Sequence, residues 1–377
     1  MNNRILAAPL SCLFLLGLVA CTKAGPKPAL PVIEPPLPSG AASTPATTTP
    51  ATSVTPAAPV VPVAPAPAPA ATPPPGEGYA GLGAKREAFI ARTAQDSGIP
   101  AAEIAAWLDQ ARYQQSIINA ITRPAEGKPW RDYRPIFLTD KRISEGRAFL
   151  AANRDELLRI QAQTGVPPEY VTAIIGVETS YGGNTGSYRV LDALYTLGFF
   201  YPKREEFFRA ELGHLFPLAR DEQLDLAQLR GSYAGAMGYG QFIPSSYRNY
   251  AVDGDGDGRR DLVNSKRDAM ASVANYFKAH GWQAGQPVVA RAQVDANAAP
   301  FVPDTLEARY TLAELAARGY RAAAPVPALP ATLVTLEGAQ GTEHWLAFKN
   351  FYVITRYNRS PLYAMAVHQL AQEIAAP

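Results

Sequence analysis

The sequence predicts a mainly α-helical fold with a small β part, an α+β arrangement in which helices carry a strand-rich insert. Three observations support this. Apolar residues recur at helical spacing in runs between residues 140 and 280, strand-like runs are confined to about residues 288–357, and a capped helix closes the chain. Asp140 to Thr164 reads as one helix, with Ile143, Phe149, Leu150, Leu157 and Ile160 apolar and Gly165 as its stop. Pro167-Pro168 opens the next, because proline is tolerated in a first turn. Ser265 to His280 reads as a third helix, with Gly281 behind it. Residues 287–290, 331–336 and 350–357 read as strands, rich in Val, Thr, Phe and Tyr. Ser360-Pro361 then caps a last helix running to Ala375. No internal repeat is visible.

Composition narrows the function classes. The chain has 377 residues, 47% hydrophobic and 18% charged, with a formal net charge of +2. That charge argues against nucleic acid as a partner, which needs a concentrated basic face. Between Pro26 and Pro75 lie 17 of the 35 prolines, with only Lys27 and Glu34 charged. Dense proline removes backbone donors and favours an extended polyproline II tether, so residues 21–78 read as a disordered linker and the globular part starts near Tyr79. Both cysteines, Cys12 and Cys21, precede it. The globular part therefore holds no disulfide, zinc–thiolate site or cysteine nucleophile.

The N-terminus reads as an export signal over residues 1–20: Arg4 gives a positive lead, and Ile5 to Ala20 is almost wholly apolar but shorter than a membrane span. It ends Leu18-Val19-Ala20-Cys21, which resembles the lipobox of bacterial lipoproteins. That resemblance implies cleavage before Cys21 and its lipidation, anchoring the protein to a membrane, each buried CH2 contributing about 0.8 kcal/mol. With Thr22 rather than Asp next, it further implies the periplasmic face of the outer membrane of a Gram-negative bacterium.

One carboxylate stands out. In the helix opened by Pro168, Val171, Ile174 and Ile175 form an apolar stripe whose next member by i+3 and i+4 spacing is Glu178. An acid on a buried stripe is costly unless paired or protonated. Gly182-Gly183 stop the helix soon after, which puts Glu178 in the last turn, where the helix dipole is negative. Burial and dipole both raise its pKa. A carboxylic acid protonated near neutrality is what a general acid for glycosidic cleavage must be. On pattern alone, a buried glutamate satisfied by an arginine or by backbone donors fits equally well.

A second segment, residues 231–245, packs Gly, Ala and Ser among Tyr233, Tyr239 and Phe242. Small side chains let a ligand approach the backbone, and tyrosines offer apolar faces with hydroxyl tips, as sugar rings require. A tight turn with two buried tyrosines is the plainer reading of the same residues.

Together, Ile175-Gly176-Val177-Glu178-Thr179-Ser180-Tyr181-Gly182 and Gly235-Ala236-Met237-Gly238-Tyr239-Gly240-Gln241-Phe242-Ile243-Pro244-Ser245 resemble the membrane-bound lytic murein transglycosylase B family, over nearly everything from about Gly81 onward. The resemblance implies a lysozyme-like core over residues 161–286. It also implies a helical domain over 79–160, completed by residues 360–377, and a small strand-rich domain over 287–359 that returns to the cleft. It implies cleavage of the β-1,4 bond between N-acetylmuramic acid and N-acetylglucosamine in peptidoglycan, without water and with no catalytic cofactor, leaving a 1,6-anhydro end. Carried over by position, Glu178 is the sole acid/base, and Ser232 and Gln241 position it and the N-acetyl group. Tyr133, Tyr276, Tyr357 and Tyr363 are cleft aromatics, and Arg204 lies near peptide or sugar carboxylates. Glycan strands are the expected partner, with cell-wall synthases as candidate protein partners. Ordinary glycosidases use two carboxylates; Glu205, Glu206 and Glu211 are near in sequence, and the absence of a second acid comes from the resemblance alone. The alternatives are a muramidase that lets water attack C1 and a non-catalytic peptidoglycan-binding lipoprotein.

Residues 253–268 suggest a structural calcium ion. Asp253, Asp255, Asp257 and Asp261 occupy positions 1, 3, 5 and 9 of an EF-hand-like loop, with Gly258 at 6 and the Arg259 carbonyl at 7. Position 12 is Asn264 rather than Glu, and Asp268 supplies the missing carboxylate if the loop is longer. The family resemblance implies such an enlarged loop. A flexible Asp-Gly turn is the alternative. Repulsion among close aspartates is the physical reason for a cation.

Overall fold

The structure, a computed structural model, describes residues 81–122 and 128–376. The signal, Cys21 and the tether lie outside the described residues. The fold is helix-rich with two small antiparallel sheets, as the sequence predicts.

Helices α1 (Leu82–Ser97), α2 (Ala101–Gln110) and α3 (Gln115–Ile121) precede α4 (Trp130–Phe137), α5 (Asp140–Ala152) and α6 (Arg154–Thr164). The single helix expected over Asp140–Thr164 is therefore two. Asn153 breaks it at φ −118, ψ 18, and its side-chain amide donates to the Phe149 carbonyl, closing α5 before α6 starts.

Helix α7 (Pro168–Thr179) begins with proline at N1, as expected. Every residue from Tyr170 to Thr179 is buried, because α5, α6, α11 (Lys266–Ala279) and α14 (Pro361–Ala375) all pack on it. This corrects the stripe: α7 has no solvent face, and Glu178 is buried because its whole helix is. Between α7 and α11 lie β1 (Tyr188–Arg189), α8 (Val190–Phe200), α9 (Glu205–Asp221), β2 (Arg230–Gly231) and α10 (Pro244–Tyr250). β1 and β2 pair antiparallel and bring the 231–245 segment back beside the end of α7. Ser265 caps α11 by accepting the Asp268 N–H.

The second sheet has the order β4-β3-β6-β5 and is antiparallel throughout: β3 (Val289–Val294), β4 (Tyr320–Ala322), β5 (Thr332–Gly338) and β6 (Gly341–Ala347), with α12 (Leu312–Ala317) before β4. Val334 and Leu336 on one face join the main core; Leu333 and Leu346 on the other build a smaller cluster with Leu315 and Tyr320. The strand expected over 350–357 is instead helix α13 (Lys349–Tyr357). Phe351, Ile354 and Tyr357 bury one helical side while Tyr352 and Arg356 remain partly exposed, so tertiary burial overrides a β-rich local composition. Ser360 then caps α14, accepting the Tyr363 N–H.

Candidate active site

Glu178 lies in the last turn of α7, only 4% exposed. The Tyr363 hydroxyl, in the first turn of α14, donates to its Oε1 at 2.5 Å. Burial pushes the Glu178 carboxyl up to about 8, and the Tyr363 bond pulls against that by favouring the anion. The acid is therefore protonated at neutral pH. No second carboxylate enters its titration among the described residues.

Three further tyrosines gather here. Burial raises the pKa of both Tyr357 and Tyr363, and the Glu178 charge adds to it at both, with Tyr133 a further contributor at Tyr363. Tyr357 donates to the Gly240 carbonyl at 2.5 Å, and its ring meets Tyr276 edge-on at 4.8 Å. A Cβ on Gly240 would stand 2.9 Å from the Tyr357 hydroxyl, so only glycine allows this approach. All four tyrosines are buried, which makes them walls behind the acid rather than exposed platforms. Asn358, buried directly after Tyr357, is a polar neighbour that the sequence reading passes over; its only signal there is adjacency.

The 231–245 segment is tied to α7 through Thr179, whose hydroxyl donates to the Tyr239 carbonyl at 3.0 Å and accepts from Gly182 N–H at 3.0 Å. Gln241 stands in this segment at φ +50, an unfavourable left-handed conformation for a residue with a side chain. Its amide nitrogen donates to the Thr185 and Gly238 carbonyls, both at 3.1 Å. With both N–H groups committed, the amide oxygen is the end left to accept from a ligand. Ser232 Oγ accepts the N–H groups of Ala234 and Ala236, at 3.3 and 3.1 Å, which leaves its own O–H to donate.

Arg204 stands at the start of α9. Its guanidinium lies over Phe207 and Phe208 at 4.7 and 5.3 Å and acts on Glu211, not on Glu178. The three glutamates near it in sequence are otherwise engaged or exposed. Glu205 pairs with Lys85 and Arg209, and Glu206 faces solvent. Glu211 is buried, accepts the Ser245 N–H at 2.9 Å, and is pushed up to about 7 by that burial.

In the aspartate-rich loop, ligand oxygens of Asp253, Asp255 and Asp268 lie within 4.8 Å of one another. Asp255 Oδ1 is buried with no hydrogen-bond partner among the described residues, the condition of a carboxylate oxygen shaped for a cation. Asp268 is fully buried and accepts N–H groups from Gly254, Asp255 and Asp261, folding the loop around itself. Asp257 stands outside that group, its Oδ1 taken by the Arg259 N–H. The loop also touches the 231–245 segment and α10: Tyr239 N–H donates to the Leu262 carbonyl at 3.1 Å, and Tyr247 hydroxyl accepts from Leu262 N–H at 2.9 Å.

The chain is similar to known proteins over most of its length. A family model described as "Transglycosylase SLT domain" matches residues 83–372. The chain is 42% identical over 298 residues to the membrane-bound lytic murein transglycosylase B of Escherichia coli strain K12, covering 76% of this chain and 81% of that one. Among solved structures, the catenated lytic transglycosylase SltB1 of Pseudomonas aeruginosa is similar at 48% identity and a TM-score of 0.74, over 77% of this chain and 97% of that one. The Escherichia coli lytic transglycosylase Slt35 in complex with calcium is similar at 42% identity and a TM-score of 0.71, over 77% and 92%. With these matches spanning most of its length, the chain belongs to the transglycosylase SLT domain family.

Proposed function

We propose that this chain is a peptidoglycan lytic transglycosylase that works with a single acid/base, Glu178. The observation that carries the reading is the buried Glu178 carboxyl, pushed up to about 8 by that burial and bonded by the Tyr363 hydroxyl. Glu178 protonates the glycosidic oxygen between N-acetylmuramic acid and N-acetylglucosamine. As the proton leaves, the Tyr363 hydroxyl stabilises the new carboxylate, and a hydrogen bond to a charged group is worth about 1.5–3 kcal/mol. The substrate's acetamido oxygen shields the positive C1. Glu178 then takes the proton of the C6 hydroxyl as that oxygen attacks C1, closing the 1,6-anhydro ring. The Gln241 amide oxygen and the Ser232 hydroxyl are the groups that hold the N-acetyl substituent.

An inverting muramidase needs a second carboxylate roughly 6.5–9.5 Å from the first to activate water. The kinship to murein transglycosylases supports the substrate class.

A calcium ion fits the loop, with Asp253, Asp255 and Asp268 as carboxylate ligands and Asp257 and the Arg259 carbonyl as further candidates. Its role is structural: it cancels repulsion among the aspartates. Cys21 is the lipid attachment point, which places the enzyme on the outer membrane; the lipobox-like sequence and the membrane-bound relative support this.

The test is product analysis by mass spectrometry on purified sacculi. Wild type releases anhydro-muropeptides and Glu178→Gln releases none while still binding sacculi. Lysis by the Gln variant, or reducing-end products from wild type, refutes the proposal.

A further inference from the structure

Helix α7 leaves its last turn through two successive left-handed residues, Ser180 at φ +50 and Tyr181 at φ +61, neither of them glycine. Each such residue costs about 1–2 kcal/mol, so the turn persists only where its surroundings hold it. Those surroundings converge on Arg142 in α5. Its Nη2 donates to Ser180 Oγ at 3.0 Å and its Nη1 to the Ile136 carbonyl at 2.9 Å, while the Tyr181 hydroxyl donates to the Arg142 carbonyl at 2.8 Å. The guanidinium also lies over Phe137 at 5.3 Å.

Ile136 and Phe137 are the last turn of α4, and the Phe137 ring lies tilted against Tyr133 with centroids 5.2 Å apart, Tyr133 being the neighbour of Tyr363. One half-buried guanidinium thus ties the turn that follows the acid to the helix that backs the acid's hydrogen-bond donor. It spends these donors on neutral oxygens, a hydroxyl and a carbonyl, where a hydrophobic clamp would avoid desolvating a charge. Two further details show the clamp is built in. A Cβ on Gly176 would stand 2.6 Å from the Tyr181 ring, and one on Gly146 would stand 2.4 Å from its hydroxyl.

We propose that Arg142 is a positioning residue for the reaction: by clamping Ser180 and the end of α4 together, it sets the rotation of the last turn of α7 and so the direction in which Glu178 presents its proton. The inference rests on Glu178 being the acid/base.

The experiment compares full-length wild type, Arg142→Ala, Arg142→Lys and Ser180→Ala by kcat and KM on soluble glycan strands, with Tm recorded for each. Arg142→Ala lowers kcat roughly tenfold to a hundredfold, as expected for a displaced catalytic group, with KM within about twofold. Arg142→Lys does not restore it, because an ammonium cannot fork to two fixed acceptors. Added guanidinium ion recovers part of the activity of Arg142→Ala and none of that of Arg142→Lys. Ser180→Ala, which keeps the arginine, loses several-fold in kcat and serves if Arg142→Ala does not fold. Wild-type kcat per folded molecule in Arg142→Ala or Ser180→Ala, with only Tm reduced, overturns the proposal. Full activity of Glu178→Gln in the same assay would instead sink the underlying reading, so the two failures are distinct.

Discussion

Tyr363 and Glu178 are separated by 185 positions in the chain, yet the tyrosine hydroxyl donates to the carboxyl Oε1 at 2.5 Å in a site closed to solvent. The fold brings the first turn of α14 against the last turn of α7 to make that contact. Burial alone would hold the acid's proton too tightly for transfer. The tyrosine moderates it by favouring the anion that forms as the proton leaves.

Tyr363→Phe removes that moderation. The Glu178 pKa rises further, so the alkaline fall in kcat/KM, set by loss of the acid's proton near pH 8, moves to higher pH. The maximum kcat drops about tenfold to a hundredfold, the equivalent of one hydrogen bond to a charged group. A pH–rate profile of wild type and variant checks both. An unmoved alkaline limb would separate Tyr363 from the acid's titration.

The raised pKa also has a sign for stability. Folded Glu178 keeps its proton up to about 8, whereas the unfolded side chain releases it near 4.5, so the folded state binds more protons between those values. Stability from this group is therefore lost as pH rises from about 4.5 to 8. Glu178→Gln, which cannot ionise, should match wild type below that window and exceed it by on the order of 5 kcal/mol above it. Urea unfolding at pH 4 and pH 8.5 measures the difference; equal gains at both values contradict it.

Gln241 separates function from stability. Its φ of +50 suits glycine, so Gln241→Gly relieves about 1 kcal/mol of backbone strain while deleting the amide. The lost bonds to Thr185 and Gly238 offset that gain, so Tm should change little, and kcat/KM should fall at least tenfold for loss of a ligand hydrogen bond. A lower Tm with unchanged kcat/KM would make Gln241 a structural residue.

The calcium loop is testable through melting. At a hundredfold excess over its dissociation constant a ligand adds about 2.7 kcal/mol, here roughly 5–10 °C in Tm. Asp255→Asn, which loses the buried carboxylate charge, should erase the calcium-dependent gain and leave the calcium-free Tm near wild type or above it, since repulsion falls. No shift with calcium in wild type, and no heat of binding, would refute the site.

How far the sequence alone reaches depends on whether a feature is local. The start of α7, the Ser265 and Ser360 caps and the spacing of Asp253 and Asp255 are local, and all are legible. The acid is legible for an adjacent reason, an ionisable residue in an apolar run, although the helix proves buried all round. Helix α13 is not legible because its two patterns coincide. Phe351, Val353, Thr355 and Tyr357 are all buried, and they alternate as strand residues would; the helical set Phe351, Ile354, Tyr357 is buried too. Arg204 is placed from motif position, but its environment comes from Phe207, Phe208 and Glu211. The Arg142 clamp has no sequence signal, since it depends on left-handed dihedrals and on contacts between three helices.

The account depends most directly on the proton of Glu178 in the resting protein. Carbon-13 NMR of labelled glutamate carboxyls, with Glu178→Gln to assign the resonance, follows that proton through a pH titration. The midpoint should fall near 8, far above the ordinary glutamate value of about 4.3. A midpoint between 4 and 5, roughly where exposed glutamates titrate, would mean the carboxylate is already charged at neutral pH and has no proton to give.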